Sequence, residues 1–175
     1  MVVNQQKNAD YESDNVKDKN NLLPFNLWSG TDYTHTVTDE RVGQNNLACD
    51  LGLNVVSSSV EWSSKGLRSY KLNLNNLNYI EYHYYDFDKT KKHIGGFDVY
   101  CGTGTTQLQL YAINWLDRSL DFDKSITIPQ GETHDVMATI FPSEITTHNE
   151  LRLRLKSLHN NAVIYIDNWR LLETN

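Results

Sequence analysis

The run Asn160 to Glu173, Asn-Asn-Ala-Val-Ile-Tyr-Ile-Asp-Asn-Trp-Arg-Leu-Leu-Glu, restricts the fold more than any other part of the chain. It alternates with a period of two: Val163, Tyr165, Asp167, Trp169 and Leu171 fall on one side, Ile164, Ile166, Asn168 and Arg170 on the other. Side chains of a pleated strand point alternately to opposite faces, so the run reads as a β-strand. Both sides begin apolar, which places the strand inside a sheet. A buried strand that comes last must pair with neighbours made earlier, and this favours a sandwich closed by its final strand over a simple meander. Asp167 is the one carboxylate within the alternating part of the run, and its plainest role is to accept backbone N–H groups at a bulge or strand end.

Other segments repeat the pattern. Leu67 to Leu74 puts Tyr70, Leu72 and Leu74 on one face against Lys71 and Asn73, with Asn75-Asn76 as the turn. Tyr79 to Phe87 carries Tyr79, Glu81, His83, Tyr85 and Phe87 on one side and Ile80, Tyr82, Tyr84 and Asp86 on the other. With aromatics on both faces it cannot simply divide core from bulk water, so one face is expected to line a groove. Phe97 to Cys101 and Gln107 to Trp115 are expected to form a hairpin around Gly102-Thr103-Gly104. Leu108, Leu110 and Ala112 then point inward, with Gln107, Gln109, Tyr111, Ile113 and Trp115 opposite. Asp117 to Lys124 reads as a loop, and Ile126 to Ile128, Asp135 to Phe141, Glu150 to Lys156 and Ala162 to Leu172 complete the set.

The N-terminal part is less regular. Residues 1–20 are polar, mixed in charge and aperiodic, the pattern of a disordered tail or linker, which leaves residues 21–175 as the folded domain. Leu22 to Trp28 is read as the first strand, with Pro24 at an edge or strand start because proline cannot donate to a ladder. Thr34 to Val42 alternates enough for a short strand, Asn45 to Asn54 is a loop or irregular strand, and the serines of Val55 to Trp62 offer no inside face. About nine or ten strands and no 3.6-residue period give an all-β sandwich of two antiparallel sheets.

At 175 residues the chain holds one domain with a substantial core. Ten tyrosines against two methionines favour strands and an amphipathic aromatic surface over a helical bundle. A net charge of −6 with no concentrated basic run argues against a nucleic-acid partner and suits a neutral ligand better. No run approaches the ~20 apolar residues that cross a bilayer, and Met1-Val2-Val3-Asn4-Gln5-Gln6 lacks the apolar core of a signal peptide. The expectation is therefore a domain of a longer exported protein, or one released by lysis or another route. Cys49 and Cys101 are too few for a disulfide scaffold and lack metal-type spacing; a bridge between them and a pair of buried thiols both stay open.

The ending Val-Ile-Tyr-Ile-Asp-Asn-Trp-Arg-Leu resembles the closing strand of jelly-roll carbohydrate-binding modules, the galactose-binding-like sandwiches that bind xylan, β-glucan or other polysaccharides. Asn21-Leu22-Leu23-Pro24 resembles the opening strand of that family, and Trp62 to Leu72 its loop, glycine and alternating strand. Where the family continues its opening strand with an Asn-Gly-x-Phe-Glu-like segment, this chain has Phe25-Asn26-Leu27-Trp28. The resemblance implies a jelly-roll fold and a non-catalytic role on a polysaccharide or cell-surface glycan. It also implies a structural calcium held in part by Asp167, with the acidic partner from the opening strand missing. It places the domain outside the cell or on a virion or cell surface, as one module of a larger protein or assembly. A phage tail or baseplate attachment domain of the same fold is the alternative.

Sugar rings are apolar on their faces and polar on their rims, so a glycan site needs flat aromatic surfaces beside amides or carboxylates. Gln107, Gln109 and Tyr111, followed by Asn114 and Trp115, supply both on one strand, and Tyr82 and Tyr84 are expected to flank them. Hydrolysis or lyase chemistry is the least supported class. Glycoside hydrolysis needs two carboxyl groups roughly 5 to 9.5 Å apart, and Glu81 alone sits mid-strand among aromatics. No Gly-x-Ser-x-Gly elbow or His-Glu-x-x-His helix is present, and the six histidines are dispersed.

Overall fold

The computed structural model describes residues 37–38, 46–49, 56–85, 87–114, 120–145 and 150–175. Among them are eleven strands: β1 (Val37–Thr38), β2 (Asn46–Cys49), β3 (Val56–Ser59), β4 (Ser69–Leu74), β5 (Tyr79–Tyr85), β6 (Lys92–Cys101), β7 (Thr106–Ile113), β8 (Leu120–Ile128), β9 (Gly131–Ile140), β10 (Glu150–Ser157) and β11 (Ala162–Thr174). The expected N-terminal tail, the first strand at residues 22–28, Asp86 and Trp115 lie outside the described residues. No helix among the described residues is long and apolar enough to cross a membrane.

The strands form two sheets, one ordered β1-β2-β5-β10-β7-β8 and the other β3-β4-β11-β6-β9. All pairings are antiparallel except β1 with β2. The last strand is internal, between β4 and β6, as its two-sided apolar start requires. Between the sheets pack Leu72 and Leu74 of β4, Ile80 and Tyr82 of β5, Phe97 and Val99 of β6, Leu108 and Leu110 of β7, and Leu151, Leu153 and Leu155 of β10. Trp169 meets Phe97 edge-on at the centre, with centroids 5.3 Å apart. This is a jelly-roll β-sandwich with an alternating inside and outside on each strand.

Three elements differ from the sequence reading. Residues 97–101 and 107–115 are not a hairpin: β6 pairs with β11 and β9, and β7 with β10 and β8. The segment around Gly104, at φ +78°, instead carries the chain from one sheet to the other. β8 occupies most of the stretch read as a loop, because Leu120, Phe122 and Lys124 pair opposite Ile113, Ala112 and Leu110 despite their charged neighbours. Third, strict alternation of the last strand fails at Asp167. The pairing with β6 shifts between Asp167 and Arg170, with Asn168 at φ +52°. The extra residue reverses the parity, so that Trp169 and Leu171 join Ile164 and Ile166 in the core while Tyr165 and Asp167 face outward.

β6 also begins earlier than expected, since Gly95 and Gly96 continue the strand instead of breaking it. A Cβ on Gly96 would lie 2.2 Å from the Val136 carbonyl oxygen, so a side chain there is excluded by β9. Cys101 is a free, buried thiol whose Sγ contacts the Thr103 and Gly104 carbonyls. Burial pushes its pKa up, which leaves it unreactive.

Candidate functional site

Strand register decides which predicted residues share a face. On the outer face of the six-stranded sheet three rows cross β5, β10, β7 and β8: Tyr79–Lys156–Gln107–Thr127, Glu81–Arg154–Gln109–Ser125 and His83–Arg152–Tyr111–Asp123. Gln107, Gln109 and Tyr111 therefore do lie together. Tyr82 and Tyr84 do not join them. Tyr82 pairs in the row of Leu153 and Leu110, is 2% exposed, and belongs to the core, against which Tyr84 also packs. The expected grouping thus crosses the sheet, because the register sets Tyr82 and Tyr84 in the inward rows of Leu110 and Ala112, and residues one apart along a strand face opposite sides.

The middle of the outer face is a closed charge network. Glu81, His83 and Glu150 are fully buried and Arg152 is 2% exposed. The Glu81 carboxylate accepts from His83 Nε2 at 2.6 Å, Arg152 Nη1 at 3.1 Å, Arg154 Nε at 2.6 Å and the Tyr111 hydroxyl at 2.8 Å. Arg152 Nη2 and His83 Nδ1 each lie 3.4 Å from Glu150 oxygens. Burial alone would raise the Glu81 carboxyl, but the His83 hydrogen bond and the charges of Arg154 and His83 hold it down at about 2. Glu150, with fewer donors, is pushed up by the same burial against the pull of Arg152 and His83. Tyr111 is consequently not a stacking platform: 4% exposed, it donates to Glu81 and accepts from Arg154 Nη2 at 2.6 Å.

The face opens toward the row of Tyr79, Lys156, Gln107 and Thr127. The first three are half-buried and Thr127 is exposed, as are Ser125 and Asp123 beside it. Arg154 sits over the Tyr79 ring, its Cζ 3.7 Å from the centroid, and its Nη1 carries no partner among the described residues; the same holds for Lys156 Nζ. Gln109 donates through Nε2 to Asp123 at 2.7 Å, while its Oε1 is buried without a donor. Asn114 is half-buried just past β7. Tyr79, Arg154, Lys156 and the Glu81 network were not singled out from sequence as a site. The available signal was Glu150-x-Arg152-x-Arg154-x-Lys156, charges at a period of two, matching Glu81-x-His83 on a neighbouring strand.

Asp167 occupies the opposite sheet. Its Oδ2 accepts from the Ser64 and Lys65 backbone N–H groups at 2.8 and 2.9 Å and from the Ser64 hydroxyl at 3.3 Å, and Oδ1 accepts from the Asn168 N–H at 2.8 Å. Three donors on Oδ2 and one on Oδ1 give this carboxylate the backbone-accepting role expected of it, without a cation. Among the described residues no group of three or more His, Cys, Asp or Glu is placed to hold a metal ion. Asp98, its cross-strand neighbour, is wrapped in the same way. It accepts from Asp135 N–H at 2.8 Å, Arg170 Nη2 at 3.0 Å and Asn168 Nδ2 at 3.1 Å.

This architecture is that of jelly-roll carbohydrate-binding modules. One similar structure is the enzymatically active domain of bacteriophage CBA120 tailspike protein 4, at 14% identity and TM-score 0.56. The match covers 89% of this chain and 22% of that one, so this chain spans about a fifth of that one's length. The CBM22-1 xylan-binding domain of Paenibacillus barcinonensis Xyn10C matches at 13% identity and TM-score 0.55, over 73% of this chain and 85% of that one. TmCBM61, solved in complex with β-1,4-galactotriose, matches at 12% identity and TM-score 0.53, over 88% and 99%. No protein-family model matches the sequence, and no curated protein matches it either.

Proposed function

We propose that this domain is a non-catalytic carbohydrate-binding module that holds a polysaccharide or cell-surface glycan against the open end of the six-stranded sheet. The observation that carries this reading is the buried Gln109 Oε1 without a donor. Gln109 is half-buried beside the open row, and a small turn of its amide toward that row would present Oε1 to a sugar hydroxyl, a donor of the right kind to satisfy it. Around it Gln107, Ser125 and Thr127 offer amide and hydroxyl groups, and Lys156 Nζ and Arg154 Nη1 offer donors. The match to TmCBM61 over nearly the whole of that module supports the same class. Binding suits the face better than hydrolysis does: Glu81 is locked in its ionised form and buried with Glu150, so neither carboxyl meets a glycosidic oxygen.

Modules that bind through a few hydrogen bonds have dissociation constants on the order of micromolar to millimolar, about −8 to −4 kcal/mol. A glycan array followed by calorimetry tests the reading. Gln109→Ala should weaken binding about threefold to tenfold, the worth of one neutral hydrogen bond, with the melting temperature unchanged. A variant that keeps full affinity places the site elsewhere, and release of reducing ends from the bound glycan overturns the non-catalytic assignment. The second reading is a virion attachment domain outside the cell, favoured by the match of 89% of this chain to part of a tailspike. Binding to intact bacterial envelopes with no response to isolated polysaccharides distinguishes it.

A further inference from the structure

The outer face of the five-stranded sheet carries a ring cluster that the proposed function does not use. Tyr165 of β11 and Tyr100 of β6 are cross-strand partners with centroids 5.8 Å apart, and the row continues to Lys71 on one side and Glu132 on the other. Trp62, in the connection from β3 to β4, lies over Tyr100 at 6.1 Å with planes 26° apart, and 6.5 Å from the His134 ring. Tyr100 is 36% exposed and Trp62 half-buried, in contrast to the sealed Tyr111.

The connection is built to hold that indole. Asp167 takes the backbone N–H groups of Ser64 and Lys65, the Ser69 hydroxyl donates to the Trp62 carbonyl at 2.6 Å, and Gly66 turns at φ +61°. A buried carboxylate thus fixes a surface tryptophan, which lowers the ordering entropy lost when a ligand lands on it. The polar rim is equally defined. Glu61 is held by Lys71 at 2.7 Å and by the Tyr165 hydroxyl, and Glu132 by His134 at 2.6 Å. Each acid is matched by a base, so the rim offers hydrogen-bonding groups without a large net charge. The Trp62 indole N–H and the Tyr100 hydroxyl have no partner among the described residues.

We propose that Trp62 and Tyr100, rimmed by Glu61, Lys71, Glu132 and His134, form a second sugar-binding site for a neutral pyranose, on the opposite face of the sandwich from Gln109. The apolar face of the ring rests on the aromatic pair. The free indole N–H, the tyrosine hydroxyl and the two carboxylates take the hydroxyl rim, the division of labour that sugar chemistry demands. Two sites on opposite faces let one domain hold two glycan chains, or contribute avidity when many copies are displayed.

The test follows the indole N–H and side-chain amide resonances by NMR while β-1,4-galactotriose, xylotriose and cellotriose are added to millimolar concentration, in wild type, Trp62→Ala, Tyr100→Ala and Gln109→Ala. The expected result is a saturable shift of the Trp62 indole with at least one trisaccharide. It should persist in Gln109→Ala, and the site's affinity should fall at least tenfold in Tyr100→Ala with the spectrum otherwise folded. Shifts confined to Gln107 and Gln109 overturn the second site and leave the first intact. Silence of the Trp62 indole with all three sugars overturns it as well, as does an indole shift that follows protein concentration alone, which marks the rings as a contact between copies.

Discussion

Replacing Glu81 with glutamine tests the closed charge network directly. The amide keeps the shape and one acceptor oxygen but removes the charge that Arg152 and Arg154 share. Arg152 is 2% exposed, so its guanidinium would lose a full charge partner and keep Glu150 at 3.4 Å as its nearest remaining carboxylate. Breaking a buried ion pair from one side costs about 3–5 kcal/mol. An independent route gives a similar figure: a folded-state pKa of about 2 against 4.5 corresponds to about 3 kcal/mol of stability at neutral pH. For a domain of this size each kcal/mol lowers the melting temperature by about 2–4 °C, so Glu81→Gln should melt about 6–20 °C below wild type, with a matching fall in urea midpoint at unchanged m-value. Adding Arg154→Met to the variant should cost less than the sum of the two single changes, since the second removes a charge already stranded. A loss below about 1 kcal/mol would place the network among solvent-screened surface pairs and refute the argument.

Acid unfolding should follow from the same carboxyl: with its folded pKa depressed, Glu81 contributes stability above 4.5 that is lost as pH falls from 4.5 toward about 2. Glu150, whose pKa is raised by burial, acts oppositely and favours the folded state as it takes its proton, so urea midpoints should hold as pH first falls toward 4.5 and collapse below it, and Glu81→Gln should flatten that collapse. Asp167→Ala leaves four donors without their acceptor and should cost about 3 kcal/mol, whereas adding EDTA to wild type should leave its melting curve unchanged. A drop of several degrees on chelation alone would show that a cation shares the site.

Much of the fold was legible because apolar alternation is local. Leu108, Leu110 and Ala112 point inward as their spacing says, and the two-sided start of β11 identifies an internal strand. The failures are places where a non-local contact outweighs the local pattern. Gly95 and Gly96 lie before the strand read from Phe97, yet β6 runs through them: a Cβ on Gly96 would collide with the Val136 carbonyl, and one on Gly95 would press on Leu110 and Leu153. The segment Leu120-Asp-Phe-Asp-Lys reads as a loop by composition, and only the pairing offered by β7 makes it a strand. Which sheet a strand joins is equally invisible. Residues 102–105 have the composition of a hairpin turn and serve as a crossing between sheets.

The bulge at Asp167 shows why a site is harder to read than a core. The carboxylate was recognisable as an acceptor of backbone N–H groups, but its donors, Ser64 and Lys65, lie about a hundred residues earlier. That distant contact has two consequences at once. It stabilises the bulge whose parity change sends Trp169 inward, and it pins the segment that holds Trp62 outward over Tyr100. Asp98 does the same for its neighbours, receiving Asp135 N–H on one side and Asn168 and Arg170 on the other. The left-handed residues Asp135 and Asn168, at φ +53° and +52°, are each tied to an aspartate, which offsets conformations that cost a side-chain-bearing residue of order 1–3 kcal/mol. In this sandwich the buried carboxylates therefore set which rings face the solvent, and ring exposure is the property on which the proposed Trp62 and Tyr100 site depends.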